Sequence, residues 1–154
     1  MVIGIIGESC TGKSTLAEKL QSILDADIYI GKDYLRLAKN ENMAKKLFQK
    51  QLEAAMCGPN IIYVISEKEH LTLLPDKAIR ILVTADLDVI KERFSQRMNG
   101  NLPAPVAAML ERKHGCFDHE KHDVHVVSSH SDMDEICKSV QHMLMHYKDI
   151  EINI

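Results

Sequence analysis

The chain has 154 residues, of which 45% are hydrophobic and 27% charged, and its formal net charge at pH 7 is −3. A chain of this length buries one hydrophobic core and is too short for a second independent domain. Because the net charge is slightly negative, the surface as a whole does not attract nucleic acid or anionic membranes. We therefore expect one α/β domain over residues 1–154, with small molecules rather than nucleic acid or a membrane as its partners.

Targeting and redox signals both favour the cytoplasm. The N-terminus leads directly into an apolar run, without a basic segment, a membrane-spanning stretch or a cleavage signal. The cysteines are spread along the chain without CxxC spacing, at Cys10, Cys57, Cys116 and Cys137. This scatter favours free thiols in a reducing compartment over a disulfide framework, so we expect a cytoplasmic protein.

The N-terminal stretch is the most informative part of the sequence. The run at residues 2–6 is apolar and β-branched, which predicts a buried central strand. It leads into Gly7-Glu8-Ser9-Cys10-Thr11-Gly12-Lys13-Ser14-Thr15, which fits the phosphate-binding pattern GxxxxGK[ST]. The helix predicted next has one apolar face, formed by Leu16, Leu20, Ile23 and Leu24. This context favours a phosphate loop, and a plain glycine turn is the alternative.

The chemistry of phosphate binding explains the residue types of this loop. Gly7 and Gly12 permit backbone angles that direct amide N–H groups inward, and the helix dipole adds positive potential. Lys13 is placed to bridge the β- and γ-phosphates, and Ser14 offers a hydroxyl to Mg²⁺. The predicted nucleotide-binding residues are Gly7, Ser9, Cys10, Thr11, Gly12, Lys13, Ser14 and Thr15.

The next part of the chain predicts two strands separated by a helical segment. Residues 27–30 form a short strand candidate, and the turn at 31–33 places Asp33 to cap the next helix. Residues 34 to about 56 are helix-forming, either as one helix or as two with a break near 40–42, and Gly58 and Pro59 end them. The apolar run at 60–66 predicts a buried parallel strand.

The C-terminal half continues this alternation. Residues 67–74 predict a short helix, 79–84 a central strand, and 85 to about 99 a helix with acidic residues in its first turn. A loop at 101–105 precedes a short helix at 106–113, a last strand at 124–128 and a closing helix from 133 to about 147. Five strands alternating with helices predict a three-layer α/β/α fold of the P-loop NTPase type, with a five-stranded parallel sheet.

With the phosphate loop at its N-terminus and five alternating strands, the chain resembles the nucleoside monophosphate kinase group of P-loop proteins, which includes adenylate, cytidylate and shikimate kinases. The resemblance implies a phosphotransferase that moves the γ-phosphoryl group of ATP, with Mg²⁺, to a small acceptor, and a nucleoside monophosphate is favoured. It also implies an acceptor-binding helical segment at about residues 31–58 and a short lid-like segment at about residues 98–123. Oligomeric state and the preference for ATP over GTP stay open.

Members of this group bind the acceptor through a Gly-Asp motif and an arginine three residues after the aspartate. Asp33 and Arg36 keep that spacing, although Lys32 stands where the glycine is usual. The resemblance implies that Asp33 orients an acceptor hydroxyl or a metal-bound water, and that Arg36 clamps an acceptor phosphate or carboxylate. A helix cap and a surface cation are the alternative roles of the two residues.

The group also uses arginines beyond the fourth strand to surround the transferring phosphoryl group. Arg93 and Arg97 match those places and share one helix face, and Arg112 and Lys113 follow beyond the loop. A solvated cationic face is the alternative. Because phosphoryl transfer needs charge stabilisation and positioning, the predicted catalytic residues are Lys13, Asp33, Arg93 and Arg97.

The third and fifth strands are followed by less specific features. Ser66 and Glu67 stand where many monophosphate kinases carry Asp-Gly-x-Pro-Arg and shikimate kinases a glycine triplet, so the acceptor stays open. Glu67 is a candidate to hold Mg²⁺ through water, or else an ordinary helix N-terminal charge. The turn at 128–131 corresponds to the place where the group holds the nucleotide base, and a cap of the last helix by Ser131 or Asp132 is equally compatible.

One cluster is not explained by the resemblance. Residues 114–125 contain four histidines and one cysteine: His114, His119, His122, His125 and Cys116. Their spacing fits neither a zinc finger nor an HExxH helix, so a polar lid segment is favoured over a zinc or nickel site. His119 and His122 are candidates to contact phosphates when protonated.

Two other functions compete with a nucleoside monophosphate kinase. One is a shikimate-type kinase for a small metabolite, in which Arg36 would hold a carboxylate. The other is a nucleotide-binding module that senses or sequesters ATP or GTP without turnover, which the missing acceptor motifs motivate. A GTPase switch is disfavoured because the Asn-Lys-x-Asp and Asp-x-x-Gly motifs are absent from the sequence.

Overall fold

The computed structural model describes residues 1–129 and 132–152. Within these ranges the strands and helices are β1 (Val2–Ile6), α1 (Lys13–Leu24), β2 (Ala26–Ile30), α2 (Glu41–Ala55), β3 (Asn60–Ile65), β4 (Ile79–Thr84), α3 (Leu87–Arg97), α4 (Ala104–Lys113), β5 (Val124–Val127) and α5 (Met133–Ile152). Two 3₁₀ helices, Asp33–Leu37 and Lys68–Leu73, follow β2 and β3. His130 and Ser131 of the predicted base-binding turn lie outside the described residues.

The described strands form one parallel sheet in the order β2-β3-β1-β4-β5. β1 is central, and its Ile3 pairs with Ile62 of β3 and with Ile79 of β4. Every residue of β1 is buried because helices cover both faces of the sheet, which explains its uninterrupted apolar sequence. The predicted five-stranded parallel sheet is confirmed, and the carboxyl ends of its strands meet at one edge, where α/β proteins bind ligands.

Side chains alternate between the two faces of the sheet, and each face has its own layer of helices. On one face, Ile5 belongs to a buried cluster with Leu16 of α1 and Val140 of α5. On the other face, Tyr63 of β3 belongs to a cluster with Phe48 of α2. The predicted three-layer α/β/α arrangement is therefore confirmed.

A smaller cluster joins α3 and α4 to the end of the sheet. Ile90 of α3 and Leu110 of α4 pack together with Cys10 and Ala85. Cys10 belongs to the glycine-rich segment that runs from the end of β1 into the first turn of α1, residues 7–14, which we call the phosphate loop. The helix that carries the two predicted arginines is thus packed against this loop.

Several predicted helices differ from the structure in detail. The segment at 34–56 is divided, which was one of the two alternatives, and the Oδ1 of Asn40 caps α2 by accepting a hydrogen bond from Met43 N at 3.2 Å. The predicted helix at 67–74 is a 3₁₀ helix. α4 begins at Ala104 instead of 106, because Pro105, which we predicted in the preceding loop, fits the first turn of a helix.

The closing helix is longer than predicted. α5 runs to Ile152 instead of about residue 147. It mixes apolar positions with charged and histidine residues along its length. None of the helices in the described ranges is both long and apolar enough to cross a membrane.

Candidate active site

The phosphate loop connects the end of β1 to the start of α1. Gly7 N donates a hydrogen bond to the main-chain oxygen of Ile65 at 3.1 Å, which holds the loop on β3. A Cβ atom at position 7 would lie 2.2 Å from the main-chain oxygen of Val83, so only glycine fits there. Gly12 has a φ of 97°, in the left-handed region that favours glycine. The backbone geometry of the loop therefore requires both glycines.

Lys13 is folded over this loop. Its Nζ donates a hydrogen bond to the main-chain oxygen of Glu8, which also accepts from Thr11 Oγ1 at 2.9 Å. Only 5% of Lys13 is exposed, and burial lowers its pKa from 10.5 to about 8, with a further contribution from Arg97 and opposing ones from Cys10 and Glu8. A buried ammonium group held by a carbonyl oxygen has a far stronger partner in a phosphate anion.

The first turn of α1 offers further groups to a phosphate. Ser14 and Thr15 are exposed there, and Ser9 is exposed within the loop. The first N–H groups of a helix have no acceptor inside the helix, and the helix dipole places positive potential at the same end. Together with Lys13, these groups supply donors and positive charge of the kind that a polyphosphate anion requires.

Arg93 connects the phosphate loop with the loop after β5. Its Nη1 donates to the main-chain oxygen of Cys10 and to Ser128 Oγ, each at 3.1 Å, and its Nη2 lies 3.5 Å from the main-chain oxygen of Ser128. Arg97, one turn further along α3, is exposed, and its charge is close enough to lower the pKa of Lys13. The structure therefore brings Lys13, Arg93 and Arg97 together around one loop.

Asp33 and Arg36 lie on the 3₁₀ helix after β2. The predicted cap by Asp33 is wrong, because Lys32 occupies the cap position and makes no side-chain cap bond. Asp33 is the first residue of the helix, and its Oδ2 accepts a hydrogen bond from Ile30 N at 2.9 Å. The Arg36 guanidinium lies over the ring of Tyr29, 4.5 Å from its centroid. Asp33 therefore fixes the end of β2, and Arg36 is held in place by an aromatic face.

A pocket of about 440 Å³ lies between α1 and the outer edge of β2. Ser14 of the phosphate loop and Arg36 both line it. Its other walls include Glu18, Gln21 and Asp27. One pocket thus presents a hydroxyl from the phosphate loop and a fixed cation from the predicted acceptor segment, residues 31–58.

Solved structures with a similar fold include several kinases. The shikimate kinase from Acinetobacter baumannii in complex with shikimate has a TM-score of 0.66 at 11% identity, covering 96% of this chain and 94% of that chain. The gluconokinase from Sinorhizobium meliloti 1021 has a TM-score of 0.64 at 14% identity, with 99% and 96% covered. The chain has the fold of the P-loop kinases.

A third structure similar to this P-loop kinase fold is the YorR protein from Bacillus subtilis in complex with phosphorylated GDP. It has a TM-score of 0.64 at 23% identity, and the alignment covers 97% of this chain and 98% of that chain. Neither a scan against protein-family models nor a search of curated proteins finds a match. The likeness therefore concerns the fold, while the identity of the acceptor has to be argued from the residues of this chain.

Sequence reasoning missed a contact of Glu8 within this P-loop kinase fold. Glu8 is 9% exposed, and its Oε2 accepts a hydrogen bond from Gly115 N at 3.2 Å. Its Oε1 lies 3.2 Å from His114 Nδ1. The available signal was an acidic residue inside a loop that was predicted to bind anions, because a buried carboxylate needs hydrogen-bond donors from elsewhere in the chain. Glu8 thus links the phosphate loop to the segment after α4.

Glu67, the candidate carboxylate for Mg²⁺, is exposed just before the second 3₁₀ helix. Its Oε1 lies 3.6 Å from Lys113 Nζ at the end of α4. Within the ranges that the structure describes, no group of three or more His, Cys, Asp or Glu side chains is arranged to hold a metal ion. A role of Glu67 toward Mg²⁺ therefore stays a prediction, and the ion pair with Lys113 is what the structure shows.

The segment at residues 114–125, which we call the histidine-rich segment, lines a second pocket of about 320 Å³. Its walls include Glu8, Asp86, His114, Asp118, His122 and His125. His125 Nε2 lies 2.8 Å from Thr84 Oγ1. His122 Nδ1 lies 2.8 Å from the main-chain oxygen of Glu120. The polar segment therefore lies against the carboxyl ends of β4 and β5, directly beside the phosphate loop.

Proposed function

We propose that this protein transfers the γ-phosphoryl group of ATP, with Mg²⁺, to a small acceptor, and that a nucleoside monophosphate is the acceptor. The observation that carries the proposal is the pocket lined by both Ser14 and Arg36. A phosphate loop by itself indicates nucleotide binding only. A fixed cation in the same pocket adds a place for a second anion next to the phosphate chain, which is what a transfer between two phosphorylated molecules requires.

The nucleotide side of the reaction rests on the phosphate loop. Lys13 exchanges its bond to the main-chain oxygen of Glu8 for the β- and γ-phosphates, a charge-assisted interaction in a site with little water. Bound Mg²⁺ supplies neutralisation of the phosphate charge. The exposed Ser14 hydroxyl would offer this ion an oxygen atom of the kind that Mg²⁺ prefers, and the Glu67 carboxylate, which faces Lys113, is the second candidate.

The two arginines of α3 have different roles in this proposal. Arg93 is occupied by Cys10 and Ser128 and holds the loop on which the phosphates lie. Arg97 is exposed and close to Lys13, so it is available to stabilise the charge that develops on the transferring phosphoryl group. Arg93 therefore acts by positioning and Arg97 by direct contact.

The acceptor side rests on Asp33 and Arg36. The Arg36 guanidinium lies over the Tyr29 ring, 4.5 Å from its centroid, and is proposed to bind a phosphate through two hydrogen bonds. Asp33 sits one turn earlier, with its Oδ2 on Ile30 N, and its other carboxylate oxygen is the candidate to orient an acceptor group. A nucleoside monophosphate meets both requirements, because its phosphate suits Arg36 and its hydroxyl groups suit Asp33.

The test is product analysis by mass spectrometry after incubation with MgATP and a pool of nucleoside monophosphates, nucleosides and small hydroxy acids. We expect one phosphoryl group to be added to a nucleoside monophosphate by the wild type and by Lys77→Ala, which changes an exposed lysine just before β4, at the opposite end of the sheet from the phosphate loop. Lys13→Ala should lose the activity. Absence of transfer by a wild-type protein that binds ATP would support a nucleotide-sensing module instead.

A metabolite kinase is the second candidate, because two of the similar structures are a shikimate kinase and a gluconokinase. In that case Arg36 would bind a carboxylate in place of a phosphate. Hydroxy acids in the same pool separate the two candidates, since the mass of the product names the acceptor. Exclusive phosphorylation of a hydroxy acid would overturn the nucleoside monophosphate proposal while retaining the kinase.

A further inference from the structure

Two buried polar side chains between the 3₁₀ helices lack hydrogen-bond partners in the described part of the chain. Tyr34 is 1% exposed and His70 is 3% exposed. Neither the hydroxyl of Tyr34 nor either ring nitrogen of His70 makes a hydrogen bond there. Glu69 Oε1 lies 3.6 Å from His70 Nε2, which is beyond hydrogen-bond range. Because buried polar atoms are nearly always hydrogen-bonded, these three atoms need a physical explanation.

The two side chains form one aromatic cluster. The rings of Tyr34 and His70 meet edge to face, with centroids 5.9 Å apart. Phe48 of α2 stacks on Tyr34 at 5.8 Å, and Tyr63 lies 4.9 Å from Phe48 and 6.4 Å from His70. The Tyr63 hydroxyl is satisfied, since it donates to the main-chain oxygen of Gly31 at 2.7 Å. The unsatisfied atoms therefore belong to Tyr34 and His70 alone within this cluster.

The cluster lies beside the residues proposed to bind the phosphoryl acceptor. Tyr34 is on the same 3₁₀ helix as Asp33 and Arg36, and His70 is on the 3₁₀ helix after the neighbouring strand β3. Both helices follow the carboxyl ends of parallel strands, where α/β proteins bind their ligands. Hydrogen bonds in 3₁₀ helices have poorer geometry than those in α-helices, and neither helix has a side-chain N-cap bond. Separation of these two 3₁₀ helices would expose Tyr34 and His70 to the acceptor region.

We propose that Tyr34 and His70 bind the edge of a nucleobase when the two 3₁₀ helices separate to admit a nucleotide acceptor. This assignment rests on the proposed kinase function and identifies the nucleobase as the part of the acceptor that the protein recognises through these residues. A hydroxyl and an imidazole offer donors and acceptors side by side, as the edge of a base does.

The charge of the cluster favours a nucleobase over a hydroxy acid as its ligand. Burial lowers the pKa of the His70 ring, so the ring is neutral at pH 7 and keeps one N–H donor and one lone pair. The Tyr34 hydroxyl likewise offers one donor and acceptor lone pairs. A neutral pair matches the uncharged edge of a base, whereas the carboxylate of a hydroxy acid would require a cation. The anionic phosphate of the same acceptor is left to Arg36.

The test compares the kinetics of Tyr34→Phe and His70→Phe with those of the wild type. Each variant should raise the KM for the nucleoside monophosphate by roughly 5- to 100-fold and leave the KM for ATP unchanged, because a base edge loses a buried partner. The Tm of Tyr34→Phe should stay the same or rise, since an unsatisfied hydroxyl is removed. His142→Gln, on the exposed side of α5, is the matched control and should change neither KM.

An unchanged acceptor KM in Tyr34→Phe, combined with a higher Tm, overturns the assignment and leaves the unsatisfied atoms as a cost in stability. Failure of the wild type to phosphorylate any nucleoside monophosphate overturns the proposed function first and this assignment with it. A second measurement, on the wild-type protein, requires neither catalytic activity nor a folded variant. Addition of a nucleoside monophosphate without ATP should shift the NMR signals of the His70 ring, and no shift at saturation contradicts the proposal.

Discussion

Arg93 and Cys10 are 83 residues apart in the chain, yet the Arg93 guanidinium donates a hydrogen bond to the main-chain oxygen of Cys10 at 3.1 Å. The same guanidinium donates to Ser128, so one side chain ties the phosphate loop to the loop after β5. Cys10 has a φ of 63°, an unfavourable value for a residue with a side chain. The surrounding contacts, Arg93 included, therefore hold the loop in a conformation that it would not adopt alone.

This relationship predicts different effects for the two arginines of α3. Arg93→Ala should lower the free energy of unfolding by about 1–3 kcal/mol and weaken nucleotide binding, because buried acceptors on two loops lose their donor. Arg97→Ala should keep the Tm and lower kcat by roughly 10- to 1000-fold. Thermal unfolding and steady-state kinetics of both variants make the comparison. Equal losses of Tm would contradict the division of roles.

Nucleotide binding should weaken as the pH rises through the pKa of Lys13. Burial lowers that pKa to about 8, so the ammonium group loses its proton in the free protein above this value. Because only the cation attracts the phosphates, the affinity for ATP should fall about tenfold between pH 7 and pH 9. Calorimetric titration measures this, and Lys13→Arg is the control, since its side chain stays charged. The same slope in Lys13→Arg would show that another group titrates.

The same group makes a predictable contribution to stability. The unfolded chain keeps the Lys13 proton up to its ordinary pKa of 10.5, whereas the folded chain releases it near 8. Between these values the unfolded state binds more protons, so this group makes the free energy of unfolding rise with pH. Denaturant titrations of wild type and Lys13→Met across this window measure the difference. A wild-type slope no steeper than that of Lys13→Met would contradict the lowered pKa.

Glu8 should be the residue that couples the phosphate loop to the histidine-rich segment. Glu8→Ala removes the acceptor for Gly115 N and the contact with His114, so we expect a loss of about 1–3 kcal/mol in unfolding free energy. Glu8→Gln keeps an acceptor oxygen and removes a negative charge beside the nucleotide phosphates. It should therefore retain most of the stability and bind ATP at least as tightly. Equal destabilisation by both substitutions would show that the charge, and not the hydrogen bond, matters.

Gly7 and Gly100 provide a test of the loop geometry. A Cβ at position 7 would lie 2.2 Å from the main-chain oxygen of Val83, whereas nothing lies within 4 Å of a Cβ at position 100. Gly7→Ala should thus destabilise the protein by more than about 3 kcal/mol or prevent folding. Gly100→Ala should cost only about 1–2 kcal/mol, through its φ of 83°. Similar Tm values for the two variants would mean that the phosphate loop accommodates the added Cβ of Gly7→Ala without loss of stability.

Local sequence patterns were sufficient to predict those features that depend on residues close together in the chain. Short-range rules predicted the apolar run of β1, the GxxxxGK[ST] loop and the position of every strand. They also predicted the parallel α/β class. The 3₁₀ character of residues 33–37 was not predicted, because their composition suits an α-helix equally well. The predicted cap by Asp33 is wrong because Asp33 is the first residue of the 3₁₀ helix and Lys32 occupies the cap position.

The sequence by itself determined that a phosphate loop lies between a buried strand and a helix, because that motif is contiguous. Only the tertiary structure decided what surrounds it. The contact of Arg93 with Cys10, the contact of Glu8 with Gly115 and the pairing of Tyr34 with His70 each join residues from separate elements. Such contacts depend on which strands lie side by side and on how helices pack across them, and long-range packing leaves no periodic trace in the chain.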